Sequence, residues 1–174
     1  MSPYLPATPT PPMLASATWP HYTCHMAYSE SILAEHVWAL IAVPGPRAQH
    51  GAADVSLHAA VRKGLPFASA KAVLQHLALP QSAMATLFGI PARTMARRQA
   101  EKILHPDESD RLYRVARVVA LAESVFGDAT NAREWLTATN RALAGESPLS
   151  LLDTEIGVRR VEEIIERINY GIPS

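Results

Sequence analysis

Cysteine is nearly absent: Cys24 stands alone among 174 residues. That excludes an internal disulfide framework and suits a reducing cytosol. The first residues lack a basic start followed by an apolar run, so no secretory signal is expected. The longest apolar run, VWALIAV at 37–43, is far too short to span a bilayer. No P-loop, nucleophile elbow or dinucleotide fingerprint occurs. The adjacent acids Glu162–Glu163 and Asp107–Glu108 point in different directions on helices and make poor acid/base partners. HYTCH at 21–25 sets two histidines around the cysteine, but it lacks a second ligand cluster and lies in a proline-rich stretch. His36, His50, His58, His76 and His105 are scattered without ligand spacing. No metal, cofactor or catalytic residue is therefore expected. Sustained period-two alternation is missing as well, which leaves no strands.

What remains is ordinary globular material, 48% apolar and 18% charged, enough for one compact domain or two small ones sharing a core. The formal net charge of zero superficially argues against a nucleic-acid partner, but its distribution is uneven. Residues 62–117 carry ten Lys/Arg against four Asp/Glu, a net of +6. Residues 118–174 carry a net of −4 and residues 1–61 a net of −2. A cationic middle between anionic ends suggests two different partners.

Three regions follow. Six prolines among the first twenty residues predict an extended or disordered leader. SESILAEHVWALIAV (29–43) predicts a helix with Leu33, Val37, Leu40 and Ile41 on one face and Ser29 as N-cap, ended by the linker PGPRAQHG. From 55 onward the pattern is helix after helix, giving an all-α fold: a leader and variable helix (1–54), a helix-turn-helix domain (55–105) and a small helical domain (106–174). PDESDRLYRVARVVALAESVFG starts at Pro106, has three acids in its opening turn and ends at Gly127. NAREWL and SPLSLL predict short helices, the second with Ser147 at N-cap. The last helix, roughly 154–170, turns Val161, Ile164, Ile165 and Ile168 inward. Asp153 is the expected cap of that helix, and Gly157 in its first turns implies a close backbone approach.

QSAMATLFGIPARTMARRQA (81–100) has the layout of a helix-turn-helix. Ala85 is small where two helices approach, and Gly89 gives the turn its backbone freedom. Met84, Phe88, Ile90 and Met95 pack the pair. The second helix, with Pro91 at N1 in place of a polar cap, carries Arg93, Thr94, Arg97 and Arg98 at a spacing that gathers them on one face for a major groove. Gln81 would lie near a phosphate. An alanine-rich helical pair with a solvated arginine face is the plainer alternative. The local charge of +6 favours DNA, because phosphate attraction supplies most non-specific affinity.

The C-terminal half, with ESDRL, FGD, AxxWL, NxALxGxxPLxLLDTxxG and a final acidic-apolar helix ending near GIP, resembles the toxin-binding region of the MbcA/ParS/Xre antitoxins. The helix-turn-helix sits where Xre members carry theirs. The resemblance covers about 55–174 and leaves 1–54 outside it. It implies a cytoplasmic, bacterial antitoxin that is not an enzyme and needs no cofactor. Its implied partners are a RES-domain toxin that consumes NAD⁺, operator DNA and a second copy in a homodimer, with no membrane. The implied toxin-binding residues are Arg159, Arg160, Glu163, Arg167, Asn169, Tyr170, Gly171, Ile172, Pro173 and Ser174, the last four forming a short projecting segment. The alternatives are an inhibitor module whose helix-turn-helix does not bind DNA, and a stand-alone transcriptional regulator.

Overall fold

The apolar spacing of the sequence is realised as helices. A computed structural model describes residues 33–41 and 53–171, and among these there is no strand. Residues 33–41 are helical (α1). They are followed by α2 (Ala53–Lys63), α3 (Phe67–His76), α4 (Ala83–Phe88), α5 (Ala92–Glu101), α6 (Pro106–Phe126) and α7 (Ala129–Thr137). Two short 3-10 turns, Arg141–Leu143 and Pro148–Leu151, lead into α8 (Glu155–Asn169). The fold is all-α, as expected, with a helix-turn-helix ahead of a smaller helical region. The leader, the Ser29 cap, the 44–51 linker, HYTCH and Ile172–Ser174 lie outside the described residues.

Helix α6 is the axis. Pro106 opens it, Asp107 and Glu108 occupy its first turn, and Gly127 ends it by donating its N–H to the Glu123 carbonyl. It buries Leu112, Val115, Ala116, Val118, Val119, Ala120 and Ala122, most of its circumference, as a core helix must. Each large aliphatic side chain so buried contributes about 1.5–3 kcal/mol. Helices α2, α4, α7 and α8 pack on it. One apolar core runs from Val37, Leu40 and Ile41 of α1 through Phe88 and Leu112 to Val161 and Ile165 of α8. The rings of Phe126 and Trp135 meet at 5.3 Å between centroids and join the end of α6 to α7.

Two junctions are stitched together by backbone. Phe67 donates to the Lys102 carbonyl at 3.0 Å and Leu104 to the Leu65 carbonyl at 2.8 Å, closing the helix-turn-helix region on itself. Two expected caps shift by one residue. Thr154, not Asp153, caps α8: its backbone is extended (φ −123, ψ 151), and its hydroxyl accepts the Gly157 N–H at 3.2 Å. Asp153 is exposed in the turn ahead of it. Pro91 stands at the N-cap of α5 rather than N1, with φ −54 and ψ 142. Its carbonyl accepts from Thr94 at 2.8 Å and Met95 at 3.0 Å.

Candidate DNA-reading and partner-binding faces

The turn between α4 and α5 needs Gly89 twice over. Its φ of +61 is left-handed, and a Cβ there would lie 2.0 Å from Arg111 Nη1. That guanidinium donates to the Phe88 carbonyl at 3.1 Å, placing positive charge at the negative end of α4. Met84, Phe88 and Ile90 are buried beneath the turn, and Met95 packs against them.

The outward side of α5 carries Arg93, Ala96, Arg97 and Ala100, all exposed. Arg93 makes no ion pair among the described residues, and Arg97, 61% exposed, only approaches Glu101 at 3.9 Å. Thr94 is half-buried at the edge of this face, and Gln81 is exposed in the turn before α4. Arg98 does not belong with them. It is 3% exposed, shares its Nε–H between the two Glu108 oxygens at 2.9 and 2.7 Å, and donates from Nη1 to Glu101 at 2.8 Å. The Glu108 hydrogen bonds raise its guanidinium above the ordinary range, against the lowering effect of burial. The i, i+4, i+5 spacing misleads here: Arg98 is three residues from Met95 and shares its inward side.

Glu108 begins ESDRL, and every residue of that run has a structural duty. Glu108 also accepts the His105 N–H at 2.8 Å, holding the first turn of α6. The Ser109 hydroxyl accepts the buried Leu65 N–H at 2.8 Å, Asp110 pairs with Arg114, Arg111 holds α4 and Leu112 is core. The run fastens α5 and its neighbours to α6.

The C-terminal signature is likewise local scaffolding. Asn140 Oδ1 accepts the Ala142 N–H at 2.9 Å, and the Ser147 hydroxyl accepts from Ser150 at 3.3 Å. Asp128 of FGD caps α7 through the N–H groups of Thr130 and Asn131, at 2.7 and 2.9 Å. Leu143, Pro148 and Leu152 are buried. A Cβ on Gly157 would meet the Leu151 carbonyl oxygen at 1.9 Å, so the close approach implied by that glycine is to the preceding turn of this chain. On α8, Arg117 of α6 holds Glu162; burial lowers the Arg117 pKa, and the Glu162 carboxylate more than offsets this, leaving it raised.

The outer side of α8 holds the expected partner-binding residues. Arg159 pairs with Glu155 at 3.2 Å, and Arg160 donates to the Ala142 carbonyl at 3.2 Å. Glu163, Arg167 and Asn169 are exposed, and Gly171 follows Tyr170 in the closing turn. Tyr170 is 61% and Ile156 81% exposed. Ile156 was not among the residues expected from sequence.

Sequence spacing also missed a buried cluster. Glu123, 8% exposed, takes His36 Nε2 on one oxygen at 2.8 Å and His76 on the other, tying α1 and α3 to α6. Its signal was an acid on the apolar stripe of α6, between Val119 and Phe126, where a buried carboxylate demands partners. No group of side chains able to hold a metal ion occurs among the described residues.

Residues 56–117 match the family model described as an antitoxin Xre-like helix-turn-helix domain. Residues 121–171 match that of the antitoxin Xre/MbcA/ParS C-terminal toxin-binding domain. The chain is 30% identical over 148 residues to an antitoxin Xre of Photorhabdus laumondii, covering 84% of this chain and 96% of that one. An antitoxin Xre of Pseudomonas putida is 41% identical over 83 residues, 47% of this chain and 52% of the relative. One of Yersinia enterocolitica is 34% identical over 96 residues, 54% and 65% respectively. The chain thus spans about half of the Pseudomonas protein's length, somewhat under two thirds of the Yersinia protein's and nearly all of the Photorhabdus protein's.

Proposed function

Since this chain belongs to the Xre/MbcA/ParS antitoxin family, we propose that it neutralises a cognate toxin and represses its own operon. The toxin is a RES-domain enzyme that consumes NAD⁺, and the chain itself is a non-catalytic regulator acting in the cytoplasm as a homodimer. The observation that carries this reading is what the scaffold leaves over. ESDRL, FGD and the 140–157 signature are committed to holding helices together. On the outer sides of α5 and α8, by contrast, Arg93, Glu163, Asn169 and Tyr170 are exposed, Arg97 only approaches Glu101 of its own helix and Arg159 pairs with Glu155 of its own helix, while Arg160 also reaches the Ala142 carbonyl.

On α5, Arg93, Thr94 and Arg97 are the base- and phosphate-contacting set, with Gln81 as an amide donor to a phosphate. Arg98 acts only by holding the helix. On α8, Arg159, Arg160, Glu163, Arg167, Asn169 and Tyr170 face the toxin, with Gly171, Ile172, Pro173 and Ser174 reaching its nucleotide site.

Co-expression with the protein encoded by the adjacent gene tests the first half. Growth and cellular NAD⁺ should be restored by the full chain and poorly restored after deletion of Ile172–Ser174. A mobility shift with the DNA upstream of the gene tests the second half. Binding should fall steeply with salt, and Arg93→Ala with Arg97→Ala should abolish it. Intact toxin binding with no salt-sensitive DNA binding would leave an inhibitor module alone.

A further inference from the structure

Large apolar side chains are exposed at only three described positions, Ile103, Ile156 and Tyr170. Ile156 lies on α8 and Tyr170 is the residue that ends it. Single exposed apolar residues are ordinary on any surface, so their relation to one another decides whether these matter. Fourteen residues separate them, about 21 Å along a helix. At 3.6 residues per turn, Ile156, Arg160, Glu163, Arg167 and Tyr170 fall within an arc of roughly 80°. Val158, Val161 and Ile165, buried in the core, lie roughly opposite, and the buried Ile164 borders the stripe on one side. Helix stability gives no reason for Ile156, since a β-branched residue is a poorer helix former than alanine. Nor does packing, at 81% exposure.

We propose that this stripe is a single docking edge, with Ile156 and Tyr170 as apolar anchors at its two ends and Arg160, Glu163 and Arg167 setting register between them. Its occupant is a groove on the toxin, so the inference rests on the toxin-binding reading above. The complementary groove has an apolar socket at each end and an acidic, basic, acidic order between. A second copy of this chain does not fit. Antiparallel self-pairing that sets Ile156 on Tyr170 stacks Glu163 on Glu163 at its centre and puts Arg159 opposite Arg167, against which stands the favourable meeting of Arg160 with Glu166. Parallel self-pairing stacks every charge on its like. The family match places the whole stripe inside a domain described as toxin-binding. The edge extends contact to the start of α8, about 21 Å along the helix from Tyr170, and separates grip from plugging. Buried aromatic and aliphatic anchors dominate interface energies, so Ile156 governs affinity while the end of the chain governs inhibition.

The test uses the full chain and the purified RES-domain protein encoded beside it, titrated calorimetrically. Ile156→Asp is suited to it, because an acid in the first turn of α8 complements the helix dipole and should leave the melting temperature unchanged or raised. Ile156→Asp should weaken toxin binding at least twentyfold. Tyr170→Ala and Glu163→Arg should each weaken it about tenfold or more. DNA binding should be unaffected in all three. At saturating concentration Ile156→Asp should still inhibit fully, whereas the chain lacking Ile172–Ser174 should bind and inhibit poorly. Wild-type affinity in both Ile156→Asp and Glu163→Arg would overturn the docking edge and leave the proposed function standing. Failure of the wild-type chain to bind would overturn both. Conversion of a dimer to a monomer by Ile156→Asp, seen by sedimentation, would make a second copy the occupant and also overturn it.

Discussion

If the outer side of α5 faces DNA as proposed, Arg97→Ala and Arg98→Ala separate a side chain that reads DNA from one that holds the reader in place. Arg98 is 3% exposed and Glu108 7%; the arginine's Nε–H is shared between the two Glu108 oxygens at 2.9 and 2.7 Å, and an Nη1–H reaches Glu101 at 2.8 Å. Removing Arg98 leaves the Glu108 carboxylate with only the His105 N–H in a nearly buried site. Breaking a buried pair by deleting one partner costs about 3–5 kcal/mol, a large share of the roughly 5–15 kcal/mol that holds a domain together. For a folded region of this size that is a fall in Tm of roughly 10–20 °C. Arg97→Ala removes a side chain 61% exposed with a 3.9 Å approach to Glu101 and should cost no more than about 0.5 kcal/mol.

Thermal melts by circular dichroism, run beside mobility shifts, decide the matter. Arg97→Ala should lose DNA affinity at unchanged Tm, and Arg98→Ala should lose both together. The double variant Arg98→Met with Glu108→Leu should recover most of the lost Tm, because an apolar pair of similar volume avoids the cost of burying charge. A Tm for Arg98→Ala within about 2 °C of wild type, less than 1 kcal/mol, would refute the reasoning and return Arg98 to the DNA-facing set.

Two further substitutions probe the C-terminal scaffold. Gly157→Ala would ordinarily strengthen a helix by about 1 kcal/mol. Here the new Cβ meets backbone at 1.9 Å, so a net loss of about 1–3 kcal/mol is expected in chemical denaturation, and stabilisation would mean that the approach is not this close. Thr154→Ala should cost about 1 kcal/mol by loss of the cap. Asp153→Ala should change stability by less than about 0.5 kcal/mol, the reverse of what the sequence alone suggested.

Periodicity made most of the fold legible. Val161, Ile164 and Ile165 on α8, or Ala70, Val73 and Leu74 on α3, could be assigned to the core from spacing, and they are buried. Gly89 and Pro106 were legible because backbone conformation at helix ends admits few residue types. Long-range polar partnerships were not. Arg98 and Glu108 are ten residues apart, and His76 and Glu123 are forty-seven apart. No local pattern says which charged residue will meet another across a bundle. A triple-basic face reads identically whether its last arginine faces solvent or carboxylate. The exposed anchor Ile156 was hidden for the opposite reason, since an isoleucine beside an apolar stripe looks like part of it.

The two family matches end and begin within four residues of each other, at 117 and 121, and both positions lie inside α6. That helix is shared by both regions. Glu108, Ser109 and Arg111 on its first turns hold α5, the α2–α3 junction and α4. Arg114 and Arg117, one and two turns further on, hold Glu155 and Glu162 of α8. Val115, Ala116, Val118 and Val119, in and beside that middle stretch, are fully buried in the common core. Rigid elements that pack on one helix keep their relative orientation as long as that helix stays straight, and α6 contains neither proline nor glycine beyond Pro106 at its start. The outer side of α5, proposed to face DNA, and the outer side of α8, proposed to face the toxin, are therefore carried on one lever, and their separation is set by α6 rather than by a linker.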